Sequence, residues 1–497
     1  MLCNPYRKEC LKILNSKNDY SLDGFTLSNE QNDICKNILT NYGGIINSQA
    51  GTGKTLVSLS IAQHLINIDA NNTMQVCIVC PVKAVNSFKK ELTTKINQPF
   101  SIYTVKEYNI VKDARYHIFT YTKLSELEQF IIDYEYHNKT LILDEVHILG
   151  NKKNKAYIEL ARLRDKFKIV IGLTATPIMN ELEELYNVVN YIKPGYLGTK
   201  KAFTDNYMIM AKRDIYTKRG KVKTWQCIGT KNEEQLAKVM SSIAFGMKKK
   251  YNLKWYFRKC ELTDEEADAY IEGSQGLLNE ELEPKAFSAR LHDLQTIIDG
   301  SHPQYQQPRL SSKEKLLVST LYEIMQRDES ALLYVEYTVT VDRLTRILQA
   351  SKSILNYNDI KFITGATPLE ERTKLEKEMQ PKTIVILTQA GRESMNLQKA
   401  NNLIMYNIPY STGSILQLIG RITRIDTKFD TQNVYILEVV DTIDTYKQGL
   451  VASKIDLFEA IFGEQTTMPD FSDDKFNIDT KALKRKYLWK SKKRKKK

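Results

Sequence analysis

The sequence predicts an α/β protein built as two lobes, each a parallel sheet covered by helices, with helical insertions between them. Three observations predict it. From Phe25 to Gly195 short apolar runs, "GGIIN", "VCIVCP", "HIFTYT", "TLILDEVH" and "KIVIGLTAT", alternate with amphipathic stretches such as "LVSLSIAQHLI" and "KAYIELARLRD". The same alternation resumes after Lys313, with "SALLYVEY", "IKFITG", "TIVILTQ", "NNLIMYN" and "NVYILEV". And 497 residues are more than one hydrophobic core organises.

Strands that are apolar along their whole length are buried on both faces, and strands separated by helices pair in parallel; together these features give doubly covered parallel sheets. In chain order, residues 1–24 form a polar, poorly periodic extension, and residues 25–200 the first lobe. Residues 201–310 read as helical protrusions and a linker. "NEEQLAKVMSSIAFGMKKK" and "TDEEADAYIEGSQGLLNEELEPKAFSARLHDLQTII" carry the helical pattern, the second opening on Thr263 and an acidic first turn, before the break "DGSHPQYQQPRLSS". Residues 311–465 form the second lobe, and 466–497 a tail expected to be disordered.

Composition narrows the function classes. No apolar run is long enough to cross a bilayer, and "MLCNPYRKECLK" lacks the apolar core of a signal peptide, so a soluble, intracellular protein is expected. Seven scattered cysteines make no disulfide framework. Cys77 and Cys80 form a Cys-x-x-Cys inside a strand that sends residues three apart to opposite faces, so buried thiols are expected rather than a metal site. From Lys484 to Lys497 the chain reads "KRKYLWKSKKRKKK", with ten basic residues; without it the formal charge of +13 falls to +3. A tail so charged pairs with phosphates, serves as a nuclear import address, or only aids solubility. Nuclear localisation is the expectation, with the cytoplasm as the alternative.

The chemistry starts at "NSQAGTGKT". Gly51, Thr52 and Gly53 follow an apolar strand and open a helix, so backbone N–H groups can curl around the β- and γ-phosphates of a nucleotide. Lys54 adds a point charge and the Thr55 hydroxyl can ligate Mg²⁺. "LILDEVH" sets Asp144 and Glu145 at a strand end, where one carboxylate can hold the metal and the other polarise the attacking water. His147 is read as a link between the nucleotide and neighbouring strands, or as a structural histidine. In "GLTATPIMN", Thr174 and Thr176 could join the acids to groups that contact a polymer strand, or simply stand in a Pro-terminated turn. "QLIGRITR" carries Arg421 and Arg424 three apart on one helix face, able to stabilise charge developing on the γ-phosphate, or else forming a solvated basic face.

The set "AGTGKT", "DEVH", "TATP" and "QLIGRITR" resembles motifs I, II, III and VI of superfamily-two helicases, in the same order. Further stretches are similar to the SWI/SNF branch: "CIVCPVKAVNSFKKEL", with Phe88 where that branch usually has Trp; "TATPIMNELEELYNVVNYIKPGYLGTKKAFTDNY"; "RKCELTDEEADAYI"; "ITGATPLEER"; and "TQAGRESMNLQKANNLIMYNIPYSTGSILQLIGRITRIDTK". The likeness runs from about residue 22 to 445. The chain departs from it at Gly51-Thr52-Gly53, where the branch reads "GLGKT", and at Arg392 and Ser394, which replace glycines.

The resemblance implies two RecA-like lobes that hydrolyse ATP with Mg²⁺. It gives Lys54, Asp144, Glu145, Arg421 and Arg424 catalytic roles, and places Gln31, Gly51, Thr52, Gly53, Thr55, Gln417 and Gly420 around the nucleotide. Pro81, Thr120, His147, Thr174, Thr176, Gly391 and Asn396 would couple it to nucleic acid. The implied activity is translocation along double-stranded DNA by a monomer, with nucleosomes or transcription machinery as further partners and no membrane. A strand-unwinding or annealing helicase, a transcription-release ATPase of viral type and a binding platform with vestigial lobes are the alternatives. Richness in Asn, Lys, Ile and Tyr points to an AT-rich genome, and compact members of the branch occur in large DNA viruses.

Overall fold

The computed structural model describes residues 19–22, 25–48, 52–175, 182–217, 220–247, 252–275, 284–305, 309–364, 367–388, 397–423, 427–449 and 451. The chain divides into two compact units, one built on residues up to 209 with 229–250, the other on 210–228 with 251–457.

The first unit's strands are β1 (Gly43–Asn47), β2 (Gln75–Cys80), β3 (Phe100–Tyr103), β4 (Tyr108–Asn109), β5 (Tyr116–Thr120), β6 (Lys139–Asp144) and β7 (Ile169–Thr174). A two-stranded ribbon of β8 (Met208–Thr217) and β9 (Gly220–Thr230) follows, and then β10 (Ala244–Phe245). The sheet order is β10-β1-β7-β6-β2-β5-β3-β4, with every pairing parallel except β3 with β4. β1, β2, β5 and β7 are buried at every residue, as their unbroken apolar sequences require. Helices Asn29–Asn41 and Lys54–Ile68 pack on this sheet through Ile34, Ile38, Val57, Leu59, Ile61 and Leu65. Cys35, Cys77 and Cys80 are buried free thiols, as expected, and burial pushes the first up to about 12.

The second unit's strands are β11 (Leu253–Cys260), β12 (Ala331–Tyr334), β13 (Asp359–Ile363), β14 (Thr383–Leu387), β15 (Asn402–Met405) and β16 (Gln432–Val439). Their order is β11-β16-β15-β12-β14-β13, all parallel. Two apolar clusters cover its faces, one around Leu332, Val385, Leu403 and Ile436, the other around Leu333, Ile386, Ile404 and Leu437.

The stretch 201–310 is not wholly helical. It contains helices Lys200–Tyr207, Glu233–Met240, Asp264–Gln275 and Pro284–Ile298, but also four strands. β10 completes the first sheet beside β1, and β11 forms the edge of the second. β11 was hidden in a stretch read as helical: Leu253, Trp255 and Phe257 pack on one cluster while Tyr256 joins the other and stacks on Tyr435, ring centroids 4.7 Å apart.

Candidate nucleotide site

The parallel register brings the motif-bearing strand ends to one edge of the first sheet. Asn47 pairs with Thr174, Leu173 with Asp144, and Cys80 with Thr120. Carboxyl ends of parallel strands are where α/β sheets hold ligands.

The phosphate loop leaves β1 through Ser48, whose N–H donates to the Thr174 carbonyl at 3.2 Å and whose hydroxyl accepts from the Met247 N–H at 2.9 Å. Gly53 then caps helix Lys54–Ile68 at φ +86°, a left-handed value that suits glycine, and a Cβ there would stand 2.9 Å from the Gln31 amide nitrogen. Helix N-termini opened by such glycines present free N–H groups to anions. Lys54 Nζ donates to the Ser48 carbonyl at 2.6 Å, which folds the lysine back over the loop where phosphates would sit.

Gln31 reaches the loop from the neighbouring helix. Its side-chain oxygen accepts from the Ser28 N–H at 2.9 Å in a capping box, and its amide nitrogen donates to the Thr52 carbonyl at 3.3 Å. One side chain therefore fixes both a helix start and the loop beside it.

Asp144 ends β6, and Glu145 follows in the left-handed region at φ 53°, which costs energy for a residue with a side chain and re-aims it out of the strand. Burial and the adjacent Glu145 push Asp144 up to about 7, against the pull of Lys54. The Tyr121 hydroxyl donates to the Asp144 carbonyl at 2.7 Å and pins the backbone there. His147 Nδ1 stands 3.3 Å from Glu145 Oε2 and 3.3 Å from the buried Thr174 hydroxyl, so the histidine bridges the acid pair and β7. Among the described residues no three or more His, Cys, Asp and Glu side chains form a metal cage by themselves. A hydroxyl from Thr55 and one carboxylate from Asp144, completed by phosphate oxygens and water, suit Mg²⁺, which is held that way in nucleotide sites. The metal would offset the burial and the neighbouring Glu145 charge that raise Asp144.

Pro81 directly follows β2, and Thr120 is buried with its hydroxyl 3.0 Å from that of Thr122. In the second unit helix Thr412–Ile422 carries Gln417, the buried Gly420 and Arg421. Arg421 is 8% exposed, and its carbonyl accepts from the Leu397 N–H at 3.1 Å. Gln417 Oε1 is buried without a hydrogen-bond partner among the described residues, an acceptor that a ligand donor would satisfy. The helix stops at Thr423, whose hydroxyl bonds back to the Ile419 carbonyl at 2.9 Å. Gly51, Thr176, Gly391, Asn396 and Arg424, like Arg392, Ser394 and the basic tail, lie outside the described residues.

Sequence reasoning had passed over two contributors. Ser48 lies inside the stretch that was read for its glycines, yet only the fold shows it joining three segments. Tyr121 follows β5 by one residue and acts through a backbone carbonyl, for which no sequence pattern exists.

Residues 6–272 match the model of the SNF2-related domain, and residues 312–426 that of the helicase conserved C-terminal domain. The "Uncharacterized ATP-dependent helicase YqhH" of Bacillus subtilis (strain 168) is 26% identical over 479 residues, spanning 89% of this chain and 81% of its own. "DNA excision repair protein ERCC-6" of Homo sapiens is 24% identical, covering 81% of this chain but 30% of its own length. "DNA repair and recombination protein RAD54B" of Gallus gallus is 23% identical, with 84% of this chain and 52% of its own length covered, so this chain spans about a third and about half of the two longer relatives. The solved "Sulfolobus solfataricus SWI2/SNF2 ATPase core in complex with dsDNA" is 20% identical with a TM-score of 0.37, covering 92% of this chain and 96% of that one. With its two parallel α/β units, phosphate loop and acid pair, the chain belongs to the SNF2-related family of helicase-like ATPases.

Proposed function

We propose that this ATPase translocates along double-stranded DNA and displaces protein bound to it. ATP would bind at the first unit with its phosphates on the loop from Gly51 to Thr55, and Thr55 and Asp144 would hold its Mg²⁺. Glu145 orients the attacking water and takes its proton; His147 holds Glu145 and relays its state to Thr174 on β7. The family resemblance gives Arg421 and Arg424 the role of stabilising charge on the γ-phosphate, and Gln417 Oε1 on the same helix as Arg421 is an acceptor open to a ligand donor. Mg²⁺ supplies electrostatic stabilisation of the transferring phosphoryl group.

The observation that carries this reading is the shared sheet edge, where Lys54, Asp144, Glu145, His147 and Thr174 are joined by hydrogen bonds or short contacts through β1, β6 and β7. A nucleotide-driven change at the acid pair thereby has a bonded path to a neighbouring strand end. Several similar proteins carry DNA repair in their names, which supports DNA as the track. Grip on phosphates makes movement independent of sequence and sensitive to salt. The basic tail adds a nonspecific DNA contact and a nuclear address.

The test is ATP turnover of the full chain with duplex DNA, single-stranded DNA and RNA, using Lys54→Ala as control. Duplex DNA should stimulate turnover most; stimulation by RNA alone would overturn the proposal.

A further inference from the structure

The ribbon β8–β9 is not absorbed by the nucleotide site. Between Met208 and Thr230 it carries six basic residues, Lys212, Arg213, Lys218, Arg219, Lys221 and Lys223, against one acid, Asp214. With the basic tail and the ribbon both set aside, the rest of the chain is slightly acidic, so this one hairpin holds the excess positive charge of the body. Its two strands pair with each other and with no third described strand.

Among its described residues, the second strand of the ribbon is exposed on both faces. Successive residues of a strand face opposite ways, yet Trp225 is 60% exposed while Gln226 and Ile228, on the other face, are exposed as well. Lys212 and Lys223 are exposed, and the Lys212 ammonium sits 5.4 Å from the centre of the Trp225 ring. Exposed tryptophan is costly to keep in water, and a cation held against its face makes a surface that is at once apolar and positive. A polyanion with planar apolar faces is the complement of such a surface.

We propose that the ribbon 208–230 is a DNA-gripping element, separate from the ATPase motifs, that lies in the groove of a duplex with Lys212 and Lys223 on the flanking phosphates and Trp225 against the sugar-base surface. A two-stranded ribbon fits the major groove. Ten residues of strand extend about 33 Å, roughly one turn of the double helix. This inference rests on the reading of duplex DNA as the track and adds a third hold beside the two lobes.

The experiment measures duplex affinity of the full chain without nucleotide across a salt series, for wild type, Lys212→Ala/Lys223→Ala, Trp225→Ala and Trp225→Phe. ATP turnover without DNA and thermal unfolding serve as folding controls, and both should match wild type. Losing two phosphate contacts should flatten the log–log salt slope by about 1.8. Trp225→Ala should weaken binding about three- to tenfold with the slope unchanged, because it removes contact area and no charge. Trp225→Phe should recover most of that loss. Wild-type slope and affinity in all three variants would overturn the ribbon's role while leaving the duplex as track. Failure of the wild type to bind duplex at any salt would overturn both.

Discussion

Two clusters in this molecule contain the same ingredients, two aspartate or glutamate side chains and a lysine, yet they are arranged for opposite ends. In the second unit Lys313 lies fully buried between Asp299, at 3.1 Å, and Asp444, at 2.7 Å. Asn407 donates to both oxygens of Asp299, Gln295 donates to both aspartates, and the Val439 N–H donates to Asp444. Burial alone would lower the Lys313 pKa, but the two carboxylates more than reverse it. In the first unit Asp144 and Glu145 are neighbours in the chain, Glu145 is held in a left-handed conformation, and burial with mutual repulsion pushes Asp144 up to about 7 despite Lys54. The lesson is that a closed cluster has its charges paired within the protein itself and ties helix Pro284–Ile298, the start of helix Ser312–Met325 and the segment after β16 into one body. The open cluster has the same formal charge but stands at the strand ends, where in the proposed function Mg²⁺ and a phosphate would complete it.

The contrast breaks most sharply at Lys54. Lys54→Ala should reduce ATP turnover by about 100-fold or more, the order seen when one charge-stabilising group leaves a preorganised site, with thermal stability little changed. Glu145→Gln should cost turnover on the same scale while nucleotide binding persists, checked by equilibrium binding beside single-turnover hydrolysis. Removing the lysine of the closed cluster should do the reverse. Lys313→Met leaves two buried carboxylates facing each other and should destabilise the second unit by about 3–5 kcal/mol, read by urea unfolding. Lys313→Met with Asp299→Asn and Asp444→Asn should recover much of that loss. A loss of turnover without a loss of stability in Lys313→Met would show that the two clusters are not the opposites described.

The closed cluster also has a pH signature. Because the folded pKa of Lys313 lies above its ordinary value of 10.5, its contribution to stability is fully present below that value and disappears as pH rises through the folded one. The stability gap between wild type and Lys313→Met should therefore narrow as pH rises above 10.5. The smallest effect is expected at Tyr121→Phe, which removes one hydrogen bond to the Asp144 carbonyl, worth about 1 kcal/mol. Turnover should fall several-fold with little change in KM.

The two clusters also differ in how far they could be seen from the sequence. The open one was legible because its groups are local: glycines before a lysine, two acids at the end of an apolar run. The closed one was not, because Asp299, Lys313, Asn407 and Asp444 are far apart in the chain and each alone reads as an ordinary polar residue. Strands buried on both faces were found from their unbroken apolar runs. β11, at an edge, and the ribbon β8–β9, with its charges, were lost to the helical reading of the surrounding stretch. Gln31 is placed by the resemblance, and the capping box with Ser28 orients its side chain toward the phosphate loop.

The most direct measurement is ATP hydrolysis by the full chain on duplex DNA, with Mg²⁺ or with a chelator, for wild type and Asp144→Asn. The open-cluster account predicts strong turnover only in wild type with metal, and loss of the metal's effect on nucleotide affinity in Asp144→Asn. Equal turnover with and without metal, or an Asp144→Asn variant as active as wild type, would contradict it.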